Sequence, residues 1–150
     1  MTGVSLKKIL KEIVGRSAIT AKGAAGDQSL TTTSTVVPLT TYTAKLGNNL
    51  TVVNNGVKCE KDGWVLIAAE GYFSGGFTAN DIAHLVIRVN STDLTNAAIR
   101  LPSTYIYCSI APQLYHVTAG TMLYLYAYNQ TAARGYITKT YGTWLNVVYL

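Results

Sequence analysis

From Val36 to the last residue, apolar side chains recur at alternate positions in short runs separated by turn-forming residues. Alternation sends successive side chains to opposite faces of an extended chain, so each run predicts a half-buried β-strand. LTVV and VKCE flank Asn54-Asn55-Gly56, residue types that accept the positive φ of a tight hairpin turn. Lys61-Asp62-Gly63 turns into the long run WVLIAAEGYF, and Ser74-Gly75-Gly76 breaks the chain again. Further strands are predicted at HLVIRVN, STYIYCSI, QLYHVTA, MLYLYAYN, GYITKTY and TWLNVVYL. About eight to ten short strands with almost no helix point to an all-β sandwich or jelly roll. No repeat of about 20–50 residues is evident, which argues against a propeller or solenoid.

A different period governs the start of the chain. Leu6, Ile9, Leu10, Ile13 and Val14 recur at three- and four-residue spacing with lysines between them, the pattern of a short amphipathic helix. Ser5 suits its N-cap and Gly15 its C-terminal end. A helix of this length is unstable alone in water and must pack on its own domain, on other copies or on a host assembly. Residues 17–35 mix Gly, Ala, Ser and Thr without a hydrophobic period and read as a linker. The predicted organisation is an attachment or trimerisation helix over 1–16, a linker over 17–35 and a β head over 36–150.

Composition narrows the function. Charged residues are only 13% of the chain while apolar types reach 49%, against about 25% charged in ordinary soluble domains. So few charges leave either a surface solvated by Tyr, Thr, Asn and Ser or one hidden in an oligomer, and the second is favoured. The net charge of +5 is concentrated in residues 1–22, where five bases face one acid, and the rest is nearly balanced. The body therefore lacks the basic stripe of a nucleic-acid-binding surface. No apolar run reaches the length of a membrane span, and SLKKILKEIVGRSA interleaves lysines where a signal peptide needs a continuous apolar core. Folding in a cytoplasm is the expectation, with Cys59 and Cys108 as separate core thiols. Two cysteines and two histidines, His84 and His116, form no metal motif, and no nucleophile elbow, phosphate loop or paired-carboxylate motif is present. No cofactor and no enzymatic activity are predicted.

Several segments together resemble one family. NGVKCEKDGWVLIAAEGYF is similar to the early hairpin of the complement-globular-head and tumour-necrosis-factor-like (TNF-like) jelly rolls, with Trp64 at its aromatic position. HLVIRVNSTDL resembles the next strand and its Asn-containing turn. QLYHVTAGTMLYLYAYNQTA resembles the later segment, where a Gly turn precedes a central strand, although Thr121 stands where Asp is common. TWLNVVYL resembles the terminal strand. The resemblance covers about two thirds of the chain and implies a jelly roll that assembles as a homotrimer with one sheet around the threefold axis. Such domains serve extracellular signalling proteins, bacterial spore surfaces and phage fibre or receptor-binding proteins. A short helical N-terminus, a linker and a β head of low charge fit a phage virion appendage best, docked on other virion proteins through Leu6, Ile9, Leu10 and Ile13. The virion, assembled in the host cytoplasm, is the expected location. The alternative is a free lectin-like module or a bacterial surface protein.

The run TMLYLYAY is bulky on both faces, with Leu123, Leu125 and Ala127 on one side and Tyr124, Tyr126 and Tyr128 on the other. The tyrosine side reads as a solvated face, a carbohydrate platform or a subunit interface. The interface is favoured because it also accounts for the missing charge. Tyr105 and Tyr107 are expected to widen the same seam. Trp64, Leu66, Ala68, Glu70 and Tyr72 share a side of their strand, and Glu70 is expected to be an outward carboxylate rather than a catalytic one. Asp81, His84 and Arg134 are loop candidates for contact with a cell-surface glycan, Arg134 as a free base suited to acidic sugars.

Overall fold

The computed structural model describes residues 16–150, and the helix predicted around Leu6, Ile9, Leu10 and Ile13 lies outside the described residues. Thirteen strands are present among them: β1 (Ala18–Lys22), β2 (Asp27–Ser29), β3 (Thr35–Val36), β4 (Thr41–Leu46), β5 (Leu50–Val53), β6 (Gly56–Cys59), β7 (Gly63–Gly75), β8 (Ile82–Val89), β9 (Thr92–Arg100), β10 (Ile106–Val117), β11 (Met122–Asn129), β12 (Tyr136–Thr138) and β13 (Trp144–Tyr149). They form two sheets. In the seven-stranded sheet the order is β2, β12, β7, β13, β1, β4, with β10 also paired to β7. In the six-stranded sheet it is β5, β6, β11, β8, β9, with β3 also paired to β11. Every pairing is antiparallel.

Alternation along the strands builds the core between the sheets. Val65, Ile67, Ala69 and Phe73 of β7 face Leu85 and Ile87 of β8 and Leu123, Leu125 and Ala127 of β11 across the sandwich, all at most 1% exposed. Each fully buried aliphatic or phenyl side chain contributes about 1.5–3 kcal/mol, so this two-sided set supplies most of the drive to fold. Gly71 interrupts the β7 series because the sheets approach closely there. A Cβ at Gly71 would sit 2.9 Å from Leu85 Cδ1 and 3.1 Å from Ile137 Cδ1. The hairpin expected at Asn54-Asn55-Gly56 joins β5 to β6, with Asn54 at φ 51° and Asn55 at φ 64°, as a two-residue turn with two positive φ values requires.

Three expectations change. Residues 17–35 are not a linker: β1 pairs with both β13 and β4, and β2 pairs with β12. Ser17, Ile19, Ala21 and Leu30 are buried. The segment is poor in large apolar residues because β1 is short and its inward positions need only Ile19 and Ala21; neighbouring strands supply the rest of the burial. STYIYCSI and QLYHVTA are one strand, β10, whose register against β7 shifts between Ile110 and Gln113 around Pro112. A bulge absorbs the proline that, in sequence, looks like a strand break. TDLTNAAIR forms β9, an edge strand whose polar side chains hide its alternation.

Candidate functional site

The two outer faces of the sandwich differ in chemistry. On the six-stranded sheet, Tyr124, Tyr126 and Tyr128 point away from the core as expected, but the rings are half-buried by their own chain. The Arg88 guanidinium lies 4.0 Å from the centre of the Tyr126 ring and its Nε donates to Asp93 Oδ1 at 2.6 Å. His84 stacks on Tyr128 with ring centres 4.5 Å apart and planes 3° from parallel. Tyr124 meets Tyr126 edge-on at 6.3 Å. Lys58 and Glu60 pair at 2.9 Å on the same sheet. Tyr105 and Tyr107 belong elsewhere. They sit at the start of β10 in the seven-stranded sheet, so the five tyrosines lie on opposite outer faces and do not make one seam. Sequence alternation assigns a side chain to a side of its own strand, but it cannot say which sheet that strand joins.

Asp81 and Arg134 are brought together, with each other as partners. Arg134 Nε donates to Asp81 Oδ2 at 2.7 Å and Nη2 to Oδ1 at 2.6 Å, a two-pronged pair. Asn129 Nδ2 and the Thr78 amide each donate to Oδ2 at 3.1 Å. The Arg134 guanidinium, aided by Asn129 and Thr78, holds the Asp81 carboxyl well below the usual carboxylate range. Asp81 is 1% exposed and saturated with donors, and Arg134 is not a free base. The network instead ties the start of β8 and the end of β11 to the loop that crosses into β12. His84 points to Gln130, Nε2 to Oε1 at 2.7 Å, away from that network. Cys59 and Cys108 are buried free thiols, and burial pushes each up to about 11.

The outer face of the seven-stranded sheet is bare by comparison. Glu70 is the one formally charged residue on β7, β10 and β13, and it faces outward, where Ser109 Oγ donates to Oε2 at 3.1 Å. Every large hydrophobic side chain more than a third exposed among the described residues belongs to this sheet or to loops at its ends. Along β7 the face has two halves. At the Gly63 end it is aliphatic: Leu66 lies between Val148 of β13 and Leu114 of β10, Ala18 pairs with Val148 and with Leu46, and Trp64 packs edge-on against His116 at 5.1 Å. Leu114 is 57% exposed and Trp64 53%. At the Gly75 end it is aromatic. Tyr72 stacks on Tyr107 at 4.7 Å, meets Tyr105 at 5.7 Å and is approached edge-on by Tyr141 at 6.1 Å. Gly142, at φ +68°, makes room for this cluster: a Cβ there would lie 2.6 Å from the Tyr107 ring. Crowding by this cluster pushes the Tyr107 hydroxyl above its ordinary value, chiefly through burial and then through Tyr141 and Tyr72.

No family model matches the sequence, and no curated protein matches it. Solved structures do. Murine APRIL crystallised at pH 5.0 superposes with a TM-score of 0.70 at 18% identity, over 90% of this chain and 99% of that one. The Eiger TNF of S. frugiperda superposes with a TM-score of 0.62 at 13% identity, over 89% of this chain and 91% of that one. The fold is a TNF-like jelly roll. The likeness covers 90% of this chain, and β1 and β2 lie in the same sheet as strands from the run after Val36. At these identities the comparison establishes the fold of the chain and leaves its function to the faces just described. The aliphatic half of the seven-stranded face, Leu66, Leu114 and Val148 above all, escapes a reading centred on tyrosines. Its signal is nonetheless present in WVLIAAEGYF, where both alternating sets are apolar apart from Glu70.

Proposed function

We propose that this chain forms the projecting head of a homotrimeric structural appendage, of the virion type, with a binding rather than a catalytic role. One observation carries the reading. The aliphatic half of the seven-stranded face presents Leu114 and Trp64, each more than half exposed, beside half-buried Leu66 and Val148, without a charged side chain among them, while the six-stranded face carries its own ion pairs. An exposed apolar patch of that kind marks a contact surface. A closed ring of three copies uses a heterologous contact, one patch meeting a different patch of the next copy, which a single apolar face with β10 paired only to β7 among the described residues can provide. The resemblance to trimer-forming jelly rolls supports three as the number. Residues 1–16, basic and amphipathic in sequence, are the attachment segment, and β1 begins at Ala18.

The test is the solution mass of the full chain. A value near three times 16.1 kDa is expected, and Leu66→Arg is expected to reduce it to the monomer while Tyr126→Lys leaves it unchanged. A stable wild-type monomer overturns the reading. Deleting residues 1–15 is expected to abolish incorporation into particles while the head stays trimeric. A free lectin-like module would lose nothing by that deletion.

A further inference from the structure

A cleft of about 440 Å³ opens on the seven-stranded face between β1, β4 and residues 140–144. That volume lies in the roughly 300–1,000 Å³ range of ligand sites. Tyr141 and Trp144 contribute rings to its lining, Thr20, Thr43 and Thr140 contribute hydroxyls, and Lys22 contributes the only charge. Among the described residues no acidic side chain lines the cleft and no ion pair claims Lys22. The framework is fixed from beneath. Thr143 is fully buried and its Oγ1 accepts from the Tyr72 amide at 2.9 Å, while Thr20 Oγ1 donates to Asn146 Oδ1 at 3.4 Å. The cleft sits at the aromatic end of the face. Thr20 of its lining pairs with Asn146 of β13, which pairs with Ala68 of β7, so the cleft lies two strands from Leu66, on the side of β7 away from Leu114.

Rings, hydroxyls and one unpaired ammonium suit a narrow class of ligand. A pyranose offers C–H faces that pack on aromatic rings, hydroxyls that exchange hydrogen bonds with threonine, and, when oxidised, a carboxylate for lysine. An isolated phosphate would find one cation and no cradle of backbone amides. We propose that this cleft is a saccharide site selective for a carboxylate-bearing pyranose, with Tyr141 and Trp144 as the stacking surface and Lys22 as the acid-selecting group. The proposal rests on the reading of the chain as a projecting binding head, and gives that head a ligand class and a place to hold it. It also moves the glycan contact from Asp81 and Arg134, which occupy each other, to an open surface.

The experiment is an NMR titration of the full-length chain with methyl glucuronide and methyl glucoside, read at the Trp144 indole, with the solution mass measured on the same sample. Saturable shifts are expected from both sugars, the glucuronide binding about tenfold tighter. Lys22→Gln is expected to erase that preference without weakening the glucoside, and Tyr141→Ala to weaken both about tenfold. Tyr141 is 71% exposed, so that variant keeps its fold. The proposal is overturned if neither sugar saturates, if the two bind equally to the wild-type chain, or if inorganic phosphate displaces the glucuronide at equal concentration. A trimer that binds neither sugar sinks the site and spares the trimer; a monomer that binds the glucuronide does the reverse.

Discussion

The two outer faces of this sandwich both carry aromatic rings and surround them differently. On the six-stranded sheet each tyrosine of β11 is covered from within: Arg88 lies over Tyr126, His84 over Tyr128, and Tyr124 meets Tyr126 edge-on. Arg88 is in turn held by Asp93. Such a face is complete in one chain, because the rings have a cation or another ring as neighbour and the charges keep the surface wet. On the seven-stranded sheet the aliphatic rows of β7, β10 and β13 have no such cover, and Glu70 is their only formal charge. Richness in tyrosine thus does not by itself separate the two faces. What matters is whether the chain already supplies the partners of those rings.

The largest effect that separates the faces is expected from paired charge insertions. Leu66→Arg should dissociate the proposed trimer, since it buries like charges in an apolar contact at a cost of about 2 kcal/mol or more per site, about the threshold of a hot spot. Tyr126→Lys should leave sedimentation unchanged. If the two variants exchange outcomes, the assignment of faces is reversed. Acid titration of the joint between the sheets comes next. The Asp81 carboxyl is depressed in the folded state, so its contribution is fully present above the ordinary Asp value of about 3.9 and is lost as pH falls below it. The wild-type chain should therefore lose stability as pH falls below about 4, and Asp81→Asn should flatten that acid limb while lowering stability at neutral pH, as read by thermal melts across pH. An unchanged acid limb would mean that other carboxylates dominate.

Smaller effects probe the aromatic surfaces themselves. Gly142→Ala places a methyl group at φ +68° and against the Tyr107 ring, and should cost about 1–2 kcal/mol in urea denaturation. It should also disturb the Tyr72–Tyr107 stack without touching the six-stranded face. Arg88→Ala removes the cation over Tyr126 and the partner of Asp93, a loss of about 0.5–1 kcal/mol. A Gly142→Ala effect smaller than that of Arg88→Ala would show that the aromatic end of the seven-stranded sheet is less ordered than the tyrosine row.

Much of the β architecture was legible in the residues because period-two patterning is a local signal. The Asn54-Asn55 turn, the outward set Trp64, Leu66, Ala68, Glu70 and Tyr72, and the inward set Leu123, Leu125 and Ala127 lie where alternation puts them. β1 was illegible because two inward residues, Ile19 and Ala21, are too few to establish a period, and neighbouring strands supply the burial that stabilises it. The pairing of Asp81 with Arg134 was not legible. Asp81 and Arg134 are 53 residues apart, and nothing local indicates that one neutralises the other.

What the sequence determined by itself was the number of faces and the polarity of each strand, since both follow from side-chain alternation within a few residues. Only the tertiary structure decided which strands share a sheet: β11 with β8 and Arg88, but β10 with β7 and β13. That choice depends on contacts between residues far apart in the chain, and it divides the tyrosines between the two outer faces.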